Sequence, residues 1–159
     1  MPRNRCDELV SVAPIPWHLL PDNATVGDDD RLLIGGCDTI ELAAEFGTPL
    51  FVYDEEHLRT RCREAVAAFG ERATYATKAF LCRAMARLAH EEGMSLDVAT
   101  GGELHVAMSA GVPADRLVMH GNNKSTAELA MALEAGVGRI VVDSFEEIDR
   151  IEPLVTAGA

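Results

Sequence analysis

Basic residues are scarce in this chain: 14 lysines and arginines stand against 26 aspartates and glutamates, a net charge of −12 over 159 residues. A field of that sign repels phosphate backbones and acidic membrane surfaces, so neither nucleic acid nor a membrane is an expected partner. Long apolar runs are missing as well. Nowhere do about 18 apolar residues follow one another, the length needed to cross a bilayer, and the opening MPRNRCDELV has charge but no apolar stretch of a signal peptide. Cys6, Cys37, Cys62 and Cys82 form no CxxC pair and no Cys/His spacing suited to zinc, so no metal site is expected. They read as free thiols in a reducing, cytoplasmic setting. The dinucleotide fingerprint GxGxxG is also lacking.

What is present suits a globular core: 48% of residues are hydrophobic and 25% charged. Residues 1 to about 30, with Pro2, Pro14, Pro16, Pro21 and the run Asp28 to Asp30, sustain no helical or strand period and read as an extended arm. Trp17 could pack on a neighbouring surface, but an ordinary contact within the chain is the expectation. A short strand is predicted at Leu32 to Ile34. Asp38-Thr-Ile-Glu41 is a capping-box pattern opening a helix that ends near Gly47, and Thr48 to Tyr53 reads as a strand with its proline at the entry. From Asp54 a helix carries Leu58, Cys62, Ala65, Val66 and Phe69 at helical spacing and stops at Gly70.

The chain then becomes regular. Strand-like runs begin near Thr74, Ser95, Leu117 and Arg139, at intervals of 21, 22 and 22 residues, each followed by a helical pattern. Leu81, Met85, Leu88 and Ala89 mark one helix face. Ser125 with Glu128 and Ser144 with Glu147 form capping boxes, and Gly93, Gly111 and Gly136 close three helices. Tandem strand and helix units require a parallel sheet, either doubly wound or part of an eight-fold barrel. A complete barrel needs about 250 residues.

Lys78 stands at the C-terminal end of a short apolar strand, where barrel active sites gather. Flanked by Ala76, Ala79 and Phe80, its amine is expected to be partly desolvated and nucleophilic, although lysines at strand ends usually extend to water. Asp97 and Asp143 end two further strands, either as site residues or as caps. The glycines of Thr100-Gly-Gly-Glu103 allow backbone amides to meet a ligand or simply make a tight turn. In His120-Gly-Asn-Asn-Lys124-Ser125, His120 could position a ligand group, and Lys124 or the asparagine amides could meet an anion at the helix start.

Tyr75-Ala-Thr-Lys78-Ala-Phe80, with Met85-Ala86, Ala89 and Gly93 behind it, resembles the cofactor-lysine signature of the ornithine, diaminopimelate and arginine decarboxylases, fold-type III pyridoxal-phosphate enzymes. Leu96-Asp97-Val-Ala-Thr-Gly-Gly-Glu103-Leu and His120-Gly-Asn-Asn-Lys124-Ser125 are similar to the diaminopimelate branch. The resemblance runs from about residue 32 to the end. It implies a partial (β/α)8 TIM-like barrel of the alanine racemase type. Residues 1–36 would be an arm and the first strand of a β domain otherwise missing, and residues 37–159 the N-terminal portion of the barrel. It further implies that Lys78 holds pyridoxal 5′-phosphate as an imine, that Asp97 lines the cofactor pocket, and that His120 and Asn122 border it. The implied reaction removes the carboxylate at the D-centre of meso-2,6-diaminopimelate to give L-lysine and CO2, the last step of lysine formation, in a homodimer. The family's cofactor-stacking histidine, glycine-rich phosphate cradle, acidic pyridine partner and cross-dimer cysteine and tyrosine motifs have no match. The isolated chain is therefore expected to be inactive and poorly folded. Competing readings are an ornithine or arginine decarboxylase, an alanine racemase-like enzyme, a cofactor-free barrel aldolase using Lys78, and a non-catalytic fragment or binding partner of a longer homologue.

Overall fold

A computed structural model describes residues 15–156, so Pro2, Cys6, Pro14 and the last three residues lie outside the described part. The chain divides into two units, one ending at His57 and the other running from Leu58.

In the first unit the single strand expected at Leu32 to Ile34 is the middle of three. Strands β1 (Thr25–Val26), β2 (Leu32–Ile34) and β3 (Cys37–Asp38) form an antiparallel sheet in that order. The extended reading of residues up to 30 is thus corrected at Thr25 and Val26. Gly27 N–H donates to the Arg31 carbonyl, and Asp30 takes φ +59°, folding the acidic run into a turn instead of leaving it extended. Between β2 and β3 the turn is Gly35-Gly36, with φ +59° and +78°. Positive φ at both central residues is the hairpin geometry that matches strand twist, and glycine reaches it without steric cost. Trp17 remains 57% exposed in a short 3-10 turn, not packed as expected.

Asp38 caps helix α1 (Thr39–Phe46) by accepting from the Ile40 and Glu41 amides, and it pairs with Arg31 at 3.0 Å. The reciprocal reach of Glu41 is not formed among the described residues. Thr48 to Tyr53 is irregular, against the expected strand. These residues have no ladder partner among the described residues, and an extended segment without one is not a strand. Asp54, buried, accepts from the His57 amide and starts helix α2 (Glu55–Phe69).

The second unit bears out the repeat. Strands β4 (Thr74–Ala76), β5 (Ser95–Val98), β6 (Leu117–Met119) and β7 (Arg139–Ile140) form a parallel sheet in sequence order. Helices α3 (Arg83–Glu91), α4 (Gly101–Ser109), α5 (Thr126–Ala135) and α6 (Phe145–Thr156) alternate with them. A doubly wound sheet must reverse its strand order at a switch point. This one does not, and successive right-handed crossovers then put every helix on one face, the winding of a barrel.

Register pairs Leu96 with Leu117 and Val98 with Met119, and all four side chains are fully buried. Ala86, Ala89, Ala107 and Ala132, also fully buried, bring the helices close to that layer. Each leucine so buried contributes roughly 1.5–3 kcal/mol. Because strand side chains alternate, Ser95 and Asp97 face away from the helices. Ser125 and Glu128 form the full capping box on α5. On α6 the Ser144 hydroxyl accepts from the Glu147 amide, but the Glu147 carboxylate turns inward instead of closing the box.

Candidate active site

The parallel sheet sends its four C-terminal ends to one rim, and the segments that follow enclose a cavity of about 450 Å³. Lys78, Asp97, His120 and Asn122, the residues singled out in the sequence, all line it, together with Ala99, Glu103, Gly121 and Asp143.

Lys78 sits in a 3-10 turn, Thr77–Ala79, directly after β4. Thr77 anchors the turn: it is buried, and its hydroxyl donates to the Asp97 carbonyl at 2.8 Å. The expected partial desolvation of Lys78 is not found, because its side chain is exposed. Phe80 packs against the core, and Ala79 beside the lysine is itself exposed.

Asp97 is in register with Ala76 on one side and Val118 on the other. Its Oδ2 lies 3.5 Å from His120 Nδ1, and its Oδ1 is buried with no hydrogen-bond partner among the described residues. An orphaned buried carboxylate oxygen is costly unless a donor arrives, so this atom marks a place for a ligand group. His120 follows β6 immediately; its amide donates to the Val98 carbonyl at 2.8 Å, and half of its side chain is open to solvent. Asn122 is exposed at the mouth.

Glu103 and Asp143 complete the acidic part of the lining. Glu103, at the third position of α4, accepts from the Ala99 amide. The pattern Thr100-x-x-Glu103 signals a reach back to the Thr100 amide; the carboxylate instead takes the amide one residue earlier. Asp143, weighed in the sequence between rim and cap, lies on the rim. The Gly101 amide is taken by Glu128 at 2.9 Å, so that glycine starts a helix and does not face a ligand. This bond, with those from Ser125, holds the Glu128 carboxyl below its usual range. Lys124 is fully buried and does not reach the cavity, which removes it as an anion-binding group.

Among the described residues no cluster of metal-ligating side chains is found, and no helix is long and apolar enough to cross a membrane.

Residues 55–157 match the family model described as the pyridoxal binding domain of the pyridoxal-dependent decarboxylases. Diaminopimelate decarboxylase from Mycobacterium tuberculosis is 51% identical over 150 residues, covering 93% of this chain and 33% of the relative. That from Bacillus subtilis is 53% identical over 129 residues, covering 78% and 29%. The crystal structure of diaminopimelate decarboxylase from M. jannaschii superimposes with a TM-score of 0.77 at 35% identity, over 86% of this chain and 33% of that one. The chain thus spans about a third of the length of the relatives it matches. An orphaned carboxylate, a histidine and a primary amine meet at the C-terminal rim of a sequentially wound parallel sheet, and the family model covers that whole sheet: the chain belongs to the pyridoxal-dependent decarboxylases.

Proposed function

We propose that this chain supplies the lysine-bearing part of a pyridoxal-phosphate-dependent decarboxylase that converts meso-2,6-diaminopimelate to L-lysine and CO2. The observation that carries the reading is the Lys78 amine in one cavity with Asp97 and His120. The 51% identity to diaminopimelate decarboxylases and the likeness to an M. jannaschii enzyme in co-complex with L-lysine support the substrate class.

The lining fits the aldehyde end of the cofactor and not its phosphate. A primary amine is present, whereas Asp97, Glu103 and Asp143 would repel a phosphate dianion. Lys78 would hold the group covalently through Nζ, which must be unprotonated to act as a nucleophile. Asp97 Oδ1 would accept a donor from the bound molecule, and Asn122 would border it. When bound, pyridoxal phosphate supplies an electron sink for the pair left by the departing carboxylate. Asp97 Oδ2, 3.5 Å from His120 Nδ1, would orient the imidazole, which would hold a proton within the cavity. The acidic rim favours a substrate carrying a free ammonium group. The domain division at residues 1–36 and 37–159, a homodimer and a cytoplasmic setting belong to the same proposal.

The test is an absorbance titration of the chain with pyridoxal phosphate, followed by borohydride and peptide mapping. A visible band and a reduced adduct on Lys78, both lost in Lys78→Ala, are expected; an adduct on Lys124, the chain's other lysine, or one that persists in Lys78→Ala would refute the assignment. Turnover of ornithine or arginine in preference to meso-diaminopimelate would move the chain to another branch of the family.

A further inference from the structure

Behind the rim lies a charged pair that the chemistry above does not use. Lys124 has no exposed surface, and Glu147 on α6 is 2% exposed. Lys124 Nζ donates to the Gly121 carbonyl at 2.6 Å and to the Val141 carbonyl at 2.7 Å, and it lies 3.0 Å from Glu147 Oε1. The three hydrogens of the ammonium thus have three acceptors. Glu147 Oε2 accepts the Asp143 amide at 3.0 Å, and Arg150 donates to the Lys124 carbonyl at 2.6 Å.

Two of these bonds end on residues of the cavity wall. Gly121 and Asp143 line the cavity, and Asn122 adjoins Gly121. Gly121 also rests against the loop after β5, where a Cβ would come within 2.6 Å of the Ala99 carbonyl oxygen. One ammonium therefore joins the loop after β6 to the loop after β7, and the first of these abuts the loop after β5. Buried ion pairs contribute little net stability, since desolvation offsets the attraction, and apolar replacements of similar volume are often neutral. A methionine at 124 would fill the space, but it could not bind two carbonyls. What distinguishes this pair is the geometry it imposes.

We propose that Lys124 and Glu147 are positioning residues, a buried strut that fixes the loops bearing His120, Asn122 and Asp143 and so governs how tightly pyridoxal phosphate is held. The inference rests on the proposed function for its ligand and on the geometry alone for the strut.

The experiment compares the chain with the double variant K124M/E147L. Cooperative unfolding and slow amide exchange at Leu96 and Met119 should persist. The Val141 and Asp143 amides, without cofactor, should exchange about tenfold faster or more. Affinity for pyridoxal phosphate, read by absorbance and by trapping at Lys78, should fall by about tenfold or more, because a loosened site must be ordered on binding. A second variant, K124M/E147Q, lets the glutamine carbonyl keep the Asp143 bond and should loosen Gly121 and Val141 but not Asp143; it serves if the leucine is not accommodated. Unchanged exchange at Val141 overturns the strut, as does faster exchange with undiminished affinity. If the unsubstituted chain forms no Lys78 adduct, the proposed function fails, while the exchange measurement still decides the strut.

Discussion

Lys124 illustrates how a single residue changes meaning once its surroundings are known. Its single replacement, Lys124→Met, leaves the Glu147 carboxylate buried without its cation, and such losses cost about 3–5 kcal/mol; urea unfolding of the variant against the parent measures this. The pH dependence follows from Glu147. Burial pushes its carboxyl up, but the hydrogen bond from Lys124, the Asp143 amide and the positive charges of Lys124 and Arg150 outweigh this, so its pKa is lowered below the usual 4.5. A carboxyl depressed in the folded state contributes stability that is full above its ordinary pKa and lost as pH falls through the lowered one. The parent should therefore lose stability below about pH 4.5, and part of that loss should be missing in K124M/E147L. Gly121→Ala is a further test at this scale. Its methyl would press on the Ala99 carbonyl at 2.6 Å, backbone that cannot move aside cheaply. A destabilisation of about 1–3 kcal/mol is expected in the same unfolding assay.

Among the elements, α5 was the most legible. Ser125 and Glu128 announce its start, Gly136 takes φ +73° at its end, and both ends are as expected. Ser125→Ala should cost about 1 kcal/mol by denaturant unfolding; it leaves Glu128 Oε2 with the residue 125 amide alone, while the other oxygen holds Gly101 at the start of α4. The same capping pattern at Ser144 and Glu147 is only half realised: Glu147 takes the Asp143 amide, one residue before the cap, and its other oxygen meets the buried Lys124 cation. A local motif cannot register a partner from another loop. Thr48 to Tyr53 failed for the converse reason. Its proline and apolar residues suit a strand, yet Phe51 is 85% exposed, and strand formation depends on a neighbour that no local pattern supplies. The hairpin at Gly35-Gly36 has a local signal, since two glycines between short apolar runs are a turn signal in their own right.

Across the molecule, protection from exchange should follow the sheet. The amides of β5 and β6, each paired on both sides, should exchange most slowly, and those of β7, which pairs with β6 alone among the described residues, much faster. Large apolar side chains are exposed in both units, with Phe145 84% exposed in the second. In isolation the 159-residue chain should therefore associate with itself at rising concentration, which sedimentation velocity would detect. Sequence alone determined that the chain holds tandem strand and helix units with Lys78, Asp97 and His120 at the strand ends, because periodicity, caps and breakers act over a few residues. Only the tertiary structure decided that the sheet runs in strand order, that Lys78 is exposed while Lys124 is buried, and that Glu103 and Asp143 join the cavity. Those outcomes depend on which strand pairs with which and on what charge lies across a loop, and such contacts join residues some 20 positions apart or more, such as Thr77 with Asp97 and Lys124 with Glu147.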